Sequence, residues 1–222
     1  MKISQRTFQV LKNFSSINPT LNVTAGSVIR TVSQNKTVLA EAAVQEEFPM
    51  DFAIYDLSEM LGVVSLFDEP EFEFDSHYVQ ISDSASASSD YFYADKSMVT
   101  VPPTGGIELP DEPVKFLLGE KVLKGLLQAA SVMGLPEVIV QGDGENIKVL
   151  ATNSKNTTSH QFSYEVGKTS DHFKMVFKVE NLKLIAGTYD VSISSSRIAK
   201  FILQDQSLSY WIATEGTSTY GN

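Results

Sequence analysis

Residues 52–62 read Phe52-Ala-Ile-Tyr-Asp-Leu-Ser-Glu-Met-Leu-Gly62, and residues 177–187 read Phe177-Lys-Val-Glu-Asn-Leu-Lys-Leu-Ile-Ala-Gly187. The two stretches align without a gap. Phe52/Phe177, Leu57/Leu182 and Gly62/Gly187 are identical; Ile54/Val179, Asp56/Asn181 and Met60/Ile185 are conservative pairs. Each copy reads as a strand running into a short helix that stops near a glycine. They lie at a similar depth in the two halves of a 222-residue chain, so the sequence predicts a duplicated domain.

The boundary between the halves follows from Val101-Pro-Pro-Thr-Gly-Gly-Ile-Glu-Leu-Pro-Asp-Glu-Pro113. Four prolines and two adjacent glycines cannot continue a helix or a central strand. We read 101–113 as an extended connector, with domains at 1–105 and 106–222. Each half is expected to open with an amphipathic helix. In Ser4–Ile17, Val10, Leu11, Phe14 and Ile17 share one face, Ser4 is a natural N-cap, and Lys2, Gln5, Arg6, Gln9, Lys12, Asn13 and Ser16 gather opposite. In Gly119–Met133, Val122, Leu123, Leu126, Ala129, Ala130 and Met133 form the apolar stripe, with Lys121, Lys124 and Gln128 opposite; Gly134 and Pro136 end it. Short runs rich in Val, Ile and Phe follow each helix: 27–31, 37–43, 137–141, 147–152 and 173–179, separated by turn residues. In 71–75, Glu71, Glu73 and Asp75 alternate with Phe72 and Phe74, the pattern of a half-buried strand with an acidic face. The fold class is therefore α+β, two similar domains in which strands dominate.

Charge sharpens this picture. The chain has 17 Lys+Arg against 27 Asp+Glu, a net of -10, which argues against a simple electrostatic nucleic-acid binder. Residues 1–40 hold five bases and no acid, 41–112 hold 17 acids and one base, and 113–222 hold 11 bases and 10 acids, so the nets are +5, -16 and +1. The molecule is expected to carry faces of opposite sign. Lys and Arg interleaved with Gln and Asn on two helix faces suit phosphate contacts that position without reading sequence. Two ordinary solvated faces are the bland alternative; two such helices, each opening a half of an otherwise acidic chain, favour a shared role.

Other chemistry is scarce. There is no cysteine, no Walker-type loop, no G-x-G-x-x-G, no H-E-x-x-H and no G-x-S-x-G. His77, His160 and His172 lack metal-ligand spacing and read as surface or turn residues. The acidic run 68–75 reads as a solvated strand face rather than a cation loop. No enzyme activity, catalytic residue, metal or cofactor is expected. No apolar run approaches the roughly 20 residues that span a bilayer, and 1–14 lack the apolar stretch of a secretory signal; a cytoplasmic protein is expected.

With these residues in hand, the chain resembles the sliding clamps, the DNA polymerase processivity factors, of T-even-type bacteriophages. The resemblance rests on Leu11-Lys-Asn-Phe14 with Ile17-Asn18, on Phe52-Ala-Ile-Tyr-Asp-Leu57 with Leu61-Gly62 and Ser65-Leu66, on the Pro-rich connector, and on 177–183 with Gly187-Thr-Tyr189 and Ala199-Lys-Phe201. It spans nearly the whole chain, and 68–100 match poorly. It implies a homotrimeric ring around duplex DNA, helices lining the inside and β-sheets outside, which binds DNA without regard to sequence and tethers the phage DNA polymerase. It also implies an ATP-driven clamp loader as partner and the cytoplasm of an infected bacterial host as location, and it admits the transcription machinery as a further partner. Four helices per chain, 4–17, 57–66, 119–133 and 180–186, are the candidate lining. Lys2, Arg6, Lys12, Lys121, Lys124 and Lys183 are the DNA-facing candidates; helix 57–66 has no basic residue and carries Glu59. The resemblance also implies that a short C-terminal peptide of the polymerase sits in an apolar groove beside the connector, which by position would use Val32, Val38, Ile107, Leu109, Ile198, Trp211 and Ile212; a core position is the competing reading for Trp211. Strands at 91–100 and 158–166 are the expected subunit edges. The alternative to a clamp is a β-rich phage capsid or tail protein.

Overall fold

The computed structural model describes residues 1–84 and 86–221, and the chain divides into two compact units, Met1–Gly106 and Ile107–Asn222. In the first unit, α1 (Gln5–Ile17) is followed by β1 (Leu21–Val23), β2 (Gly26–Val32), β3 (Val38–Phe48), β4 (Phe52–Ile54), α2 (Leu57–Val64), β5 (Glu71–Phe74), β6 (Tyr78–Ser82), β7 (Ser88–Phe92) and a 3-10 turn at Lys96–Met98. The second unit contains β8 (Val114–Leu118), α3 (Glu120–Met133), β9 (Glu137–Asp143), β10 (Asn146–Thr152), β11 (Phe162–Lys168), β12 (His172–Lys178), a 3-10 turn at Val179–Asn181, β13 (Tyr189–Ile193), β14 (Ile198–Leu203), β15 (Leu208–Ala213) and β16 (Thr219–Tyr220).

In the first unit β1 pairs with β4, β2 with β3, and β5, β6 and β7 form a meander, all antiparallel. Helix α1 buries Val10, Leu11, Phe14 and Ile17, each worth about 1.5–3 kcal/mol as an upper bound. Its amino end is built from two elements. Ser4 caps it by accepting from the Thr7 N–H, while Glu46 of β3 accepts from the Ser4 N–H at 2.5 Å and from the Thr7 hydroxyl at 2.5 Å. A carboxylate at the positive end of a helix, taking otherwise unpaired donors, is a favourable placement. Burial works against ionisation of Glu46, but the hydrogen bonds from Thr7 and Ser4 outweigh it and hold the carboxyl below its ordinary 4.5. Glu46 is thus an acid turned into the fold; Glu71 and Glu73 of β5 are exposed, while Phe72 is buried.

In the second unit one sheet runs β11-β10-β9-β12-β16, and β15, β14, β13 and β8 are successive antiparallel neighbours in another. Phe177 of the first packs edge-on to Phe201 of the second at 5.9 Å, and α3 buries Leu123, Leu126 and Ala130. Gly134 closes α3 at φ 62°, ψ 36°, a left-handed conformation in which a Cβ is strained.

Two expectations are corrected. The second half opens on β8 rather than on a helix: Val114 and Leu118 are buried while Lys115 and Leu117 are exposed, a period of two. And 180–186 is not a helix. Leu182 leaves helical geometry at φ -82°, ψ 54°, so only the 3-10 turn forms. The Ile185 N–H donates to the Tyr210 hydroxyl at 3.2 Å, and the Tyr189 hydroxyl donates to the Ile185 carbonyl at 2.6 Å. Two buried tyrosines satisfy peptide groups that a helix would have paired internally. The first-unit copy does form a helix because Asp56 caps it, accepting from the Glu59 N–H at 3.0 Å; its counterpart Asn181 lies inside the 3-10 turn.

Candidate nucleic-acid interface

The face opposite the buried stripe of α1 presents Gln5, Gln9, Lys12 and Ser16 to solvent, with Arg6 and Asn13 half-exposed. No acid occupies its first turn. Helix α2 lies alongside, and Gln5, Phe8, Lys12 and Ser15 of α1 share a groove of about 570 Å³ with Ser58, Leu61, Gly62 and Ser65. The one acid on α2, Glu59, accepts from the Tyr91 hydroxyl at 3.3 Å. Burial, with the Glu59 charge beside it, pushes the Tyr91 hydroxyl up to about 12, so it stays a donor throughout the physiological range. On α3, Lys121, Lys124 and Gln128 are exposed. The ammonium groups of Lys12, Lys121 and Lys124 make no ion pair among the described residues.

The remaining basic candidates are placed differently. Lys183 is exposed on the irregular segment after the 3-10 turn, whose Leu184 and Ala186 share a groove with Lys124 and Gln128 of α3. Lys2 lies outside α1. It bonds Glu69 at 3.0 Å and approaches Glu71 at 3.8 Å, and the Glu69 hydrogen bond raises its pKa. Two carboxylates already occupy its charge.

The structure also separates the residues expected to form a peptide groove. Val32 and Val38 are both buried; Val32 pairs with Leu39, so Val38 lies on the other face of the β2–β3 ribbon. On β15, Trp211 pairs with Lys200, and Ile212 pairs with Ala199. Trp211 and Ile212 therefore point to opposite faces of their sheet. Ile212 belongs to the core face with Phe201 and Tyr210, whereas Trp211 shares the outer face with Ile198, Lys200 and Ile202. Trp211 is nonetheless only 4% exposed: its indole N–H donates to the Ile107 carbonyl at 2.6 Å, and the Lys200 ammonium sits 5.4 Å from the ring centroid. Ile107 is exposed and Leu109 half-exposed. Lys200 and Asp111 of this region were not anticipated. Lys200 could have been found by reading β14 with period two; the Asp111 partners lie too far away in sequence to leave a local signal.

Strand β7 ends the β5-β6-β7 meander and β11 ends its five-stranded sheet. The Met1 segment bonds to the outer edge of β5, and β16 covers β12. Phe92 of β7 packs on Tyr78 of β6 at 5.5 Å, Phe162 and Tyr164 of β11 lie 5.3 Å apart, and Phe92 is 68% exposed. The expected edge at 91–100 is a strand only to Phe92; beyond it lies the 3-10 turn. The edge expected at 158–166 begins as a strand at Phe162.

Comparison with known proteins gives the family and the fold. A family model described as DNA polymerase processivity factor matches residues 2–101. A sliding clamp of Vibrio phage KVP40 is 32% identical over 97% of this chain and 99% of its own; that of Escherichia phage RB69 is 29% identical over 99% of both. Among solved structures, A. fulgidus PCNA bound to the C-terminal region of FEN-1 superposes with a TM-score of 0.67 at 14% identity, over 93% of each chain. A Helicobacter pylori beta clamp bound to a DNA ligase peptide gives 0.70 at 12%, over 96% of this chain and 64% of that one. The capsid or tail alternative has no support among these relatives. With a relative this similar over the full length, and with the fold of clamps from other lineages, the chain belongs to the sliding clamps, the DNA polymerase processivity factors.

Proposed function

We propose that three copies close head to tail into a ring around duplex DNA, with α1, α2, α3 and the segment after the Val179–Asn181 turn facing the duplex. One observation carries this reading. In a chain of net charge -10, α1 and α3 each present unpaired lysines and amides on an outer face, Lys12 with Gln5 and Gln9, and Lys121 and Lys124 with Gln128. Enclosure makes tight phosphate binding unnecessary, and a few mobile cations permit sliding. Arg6 of α1 and Lys183 after the Val179–Asn181 turn add further positive charge to the duplex-facing elements; Lys2, already paired, contributes least.

Pairing of β7 with β11 of the next copy would close the ring and remove two exposed edges. The clamp tethers the phage DNA polymerase through a peptide laid on the outer face of β14 and β15. Of the groove candidates, Ile107, Leu109, Ile198 and Trp211 suit that role, and Ile212 supports β15 from the core face; Val32 and Val38 are buried in the first unit and do not join them. An ATP-driven loader opens the ring onto DNA in the cytoplasm of the infected host, and the clamp itself performs no catalysis.

The test is topological. Loaded clamp remains on nicked circular DNA and is lost rapidly once the circle is linearised. Equal retention on both forms would remove enclosure as the mechanism.

A further inference from the structure

We infer that Asp111 is a positioning residue that latches the connector against the β13–β14 turn and so shapes the partner-peptide groove. This rests on the reading that Ile107, Leu109, Ile198 and Trp211 receive that peptide.

The connector stretch 107–111 is held at both ends. At one, the Ile107 carbonyl accepts from the Trp211 indole at 2.6 Å. At the other, the Asp111 carboxylate accepts from the hydroxyls of Ser194 and Ser195 and from the Ser195 N–H at 2.9 Å. Ser194 is fully buried, and its own N–H donates to the Ile198 carbonyl at 2.9 Å, so the latch is anchored in the hairpin that begins β14. Leu109 lies midway between the two anchors, followed by Pro110, whose ring fixes φ. Three hydrogen bonds to one ionised carboxylate are a strong tie for an exposed loop; those from Ser194 and Ser195 hold its carboxyl below the ordinary value. A peptide that lands on a prearranged rim avoids the cost of ordering that rim, so the latch acts on affinity without touching the peptide.

Trp211 is the single tryptophan of the chain, so its fluorescence reports this site alone. Full-length Asp111→Ala, Asp111→Asn, Leu109→Ala and a Ser194→Ala/Ser195→Ala pair are compared with the parent. The probe is a fluorescein-labelled peptide of the C-terminal residues of the phage DNA polymerase. Asp111→Ala is expected to weaken peptide binding about tenfold and to make Trp211 more accessible to acrylamide, with thermal midpoint and light-scattering mass unchanged. Asp111→Asn, which keeps one acceptor oxygen, should fall between. The serine pair should match Asp111→Ala, and combining the two should add nothing. Leu109→Ala should weaken the peptide while leaving Trp211 quenching at the parental level. Parental affinity together with parental quenching in Asp111→Ala overturns the latch, as does a general loss of stability in both Asp111 variants. If the parent itself fails to bind the peptide, the groove reading falls. The quenching difference between parent and Asp111→Ala then still decides whether Asp111 holds the connector.

Discussion

Replacing Glu46 tests how α1 is held. Glu46 sits on β3, is 8% exposed, and accepts from the Ser4 N–H and the Thr7 hydroxyl at the start of α1. Hydrogen bonds to a charged partner contribute about 1.5–3 kcal/mol each, and burying the carboxylate returns part of that. Thr7 keeps a neighbour in the Ser4 hydroxyl at 3.1 Å, whereas the Ser4 N–H is left without its acceptor. The net for Glu46→Ala is a loss of about 2–3 kcal/mol, a large part of the roughly 5–15 kcal/mol that holds a domain folded. Glu46→Gln retains shape and one acceptor oxygen and should lose about half as much. Urea unfolding followed by far-UV circular dichroism measures both.

The pH dependence supplies a second check. The folded-state pKa of Glu46 lies below its ordinary 4.5. Its contribution is therefore complete above that value and is lost as pH falls through the folded pKa. The gap between parent and Glu46→Gln should be full at pH 7 and shrink toward pH 3. A Glu46→Ala variant within about 0.5 kcal/mol of the parent at pH 7, or a gap that widens in acid, would refute the reasoning.

Two further outcomes follow from the geometry. Lys121→Glu with Lys124→Glu reverses two exposed, unpaired charges on α3, so polymerase product length on primed circular DNA should fall severalfold while the thermal midpoint stays put, since surface changes of this kind cost little stability; unshortened products would count against α3 as a DNA-facing element. Gly142→Ala introduces a Cβ that would meet the Phe173 ring at 2.4 Å and the Asp171 carbonyl at 2.6 Å; because one of these is backbone, a destabilisation of about 1–3 kcal/mol is expected in calorimetry, and a neutral result would show that the β9–β12 ladder yields locally.

Local patterns carried part of this molecule. The period of 3.6 in 4–17 and 119–133 sufficed for α1 and α3, because each buries a single stripe and ends in a recognisable cap, Ser4 at one and Gly134 at the other. The same logic failed at 180–186, where the repeat promised a helix. There the decisive partners are Tyr189 and Tyr210, up to 25 residues away, and nothing in the segment itself announces them. Alternation along β15 could have shown that Trp211 and Ile212 part company, since successive strand residues always do; what it could not show is that Trp211 is capped by the Ile107 carbonyl, 104 residues earlier.

The basic residues divide along the same line. The sequence by itself determined that Lys12 on one helix, and Lys121 and Lys124 on another, each lie opposite that helix's apolar stripe, because helical spacing is a local property of the backbone. Only the tertiary structure decided which cations are available: it folds Glu69 and Glu71 onto Lys2 and leaves those three lysines without an ion pair among the described residues. It also decided that Glu46, one acid among the 17 of residues 41–112, is turned inward to hold the helix that carries Arg6 and Lys12. Charge separated by many residues acts through distance in space, and that distance is set by how the sheets bring the chain back on itself.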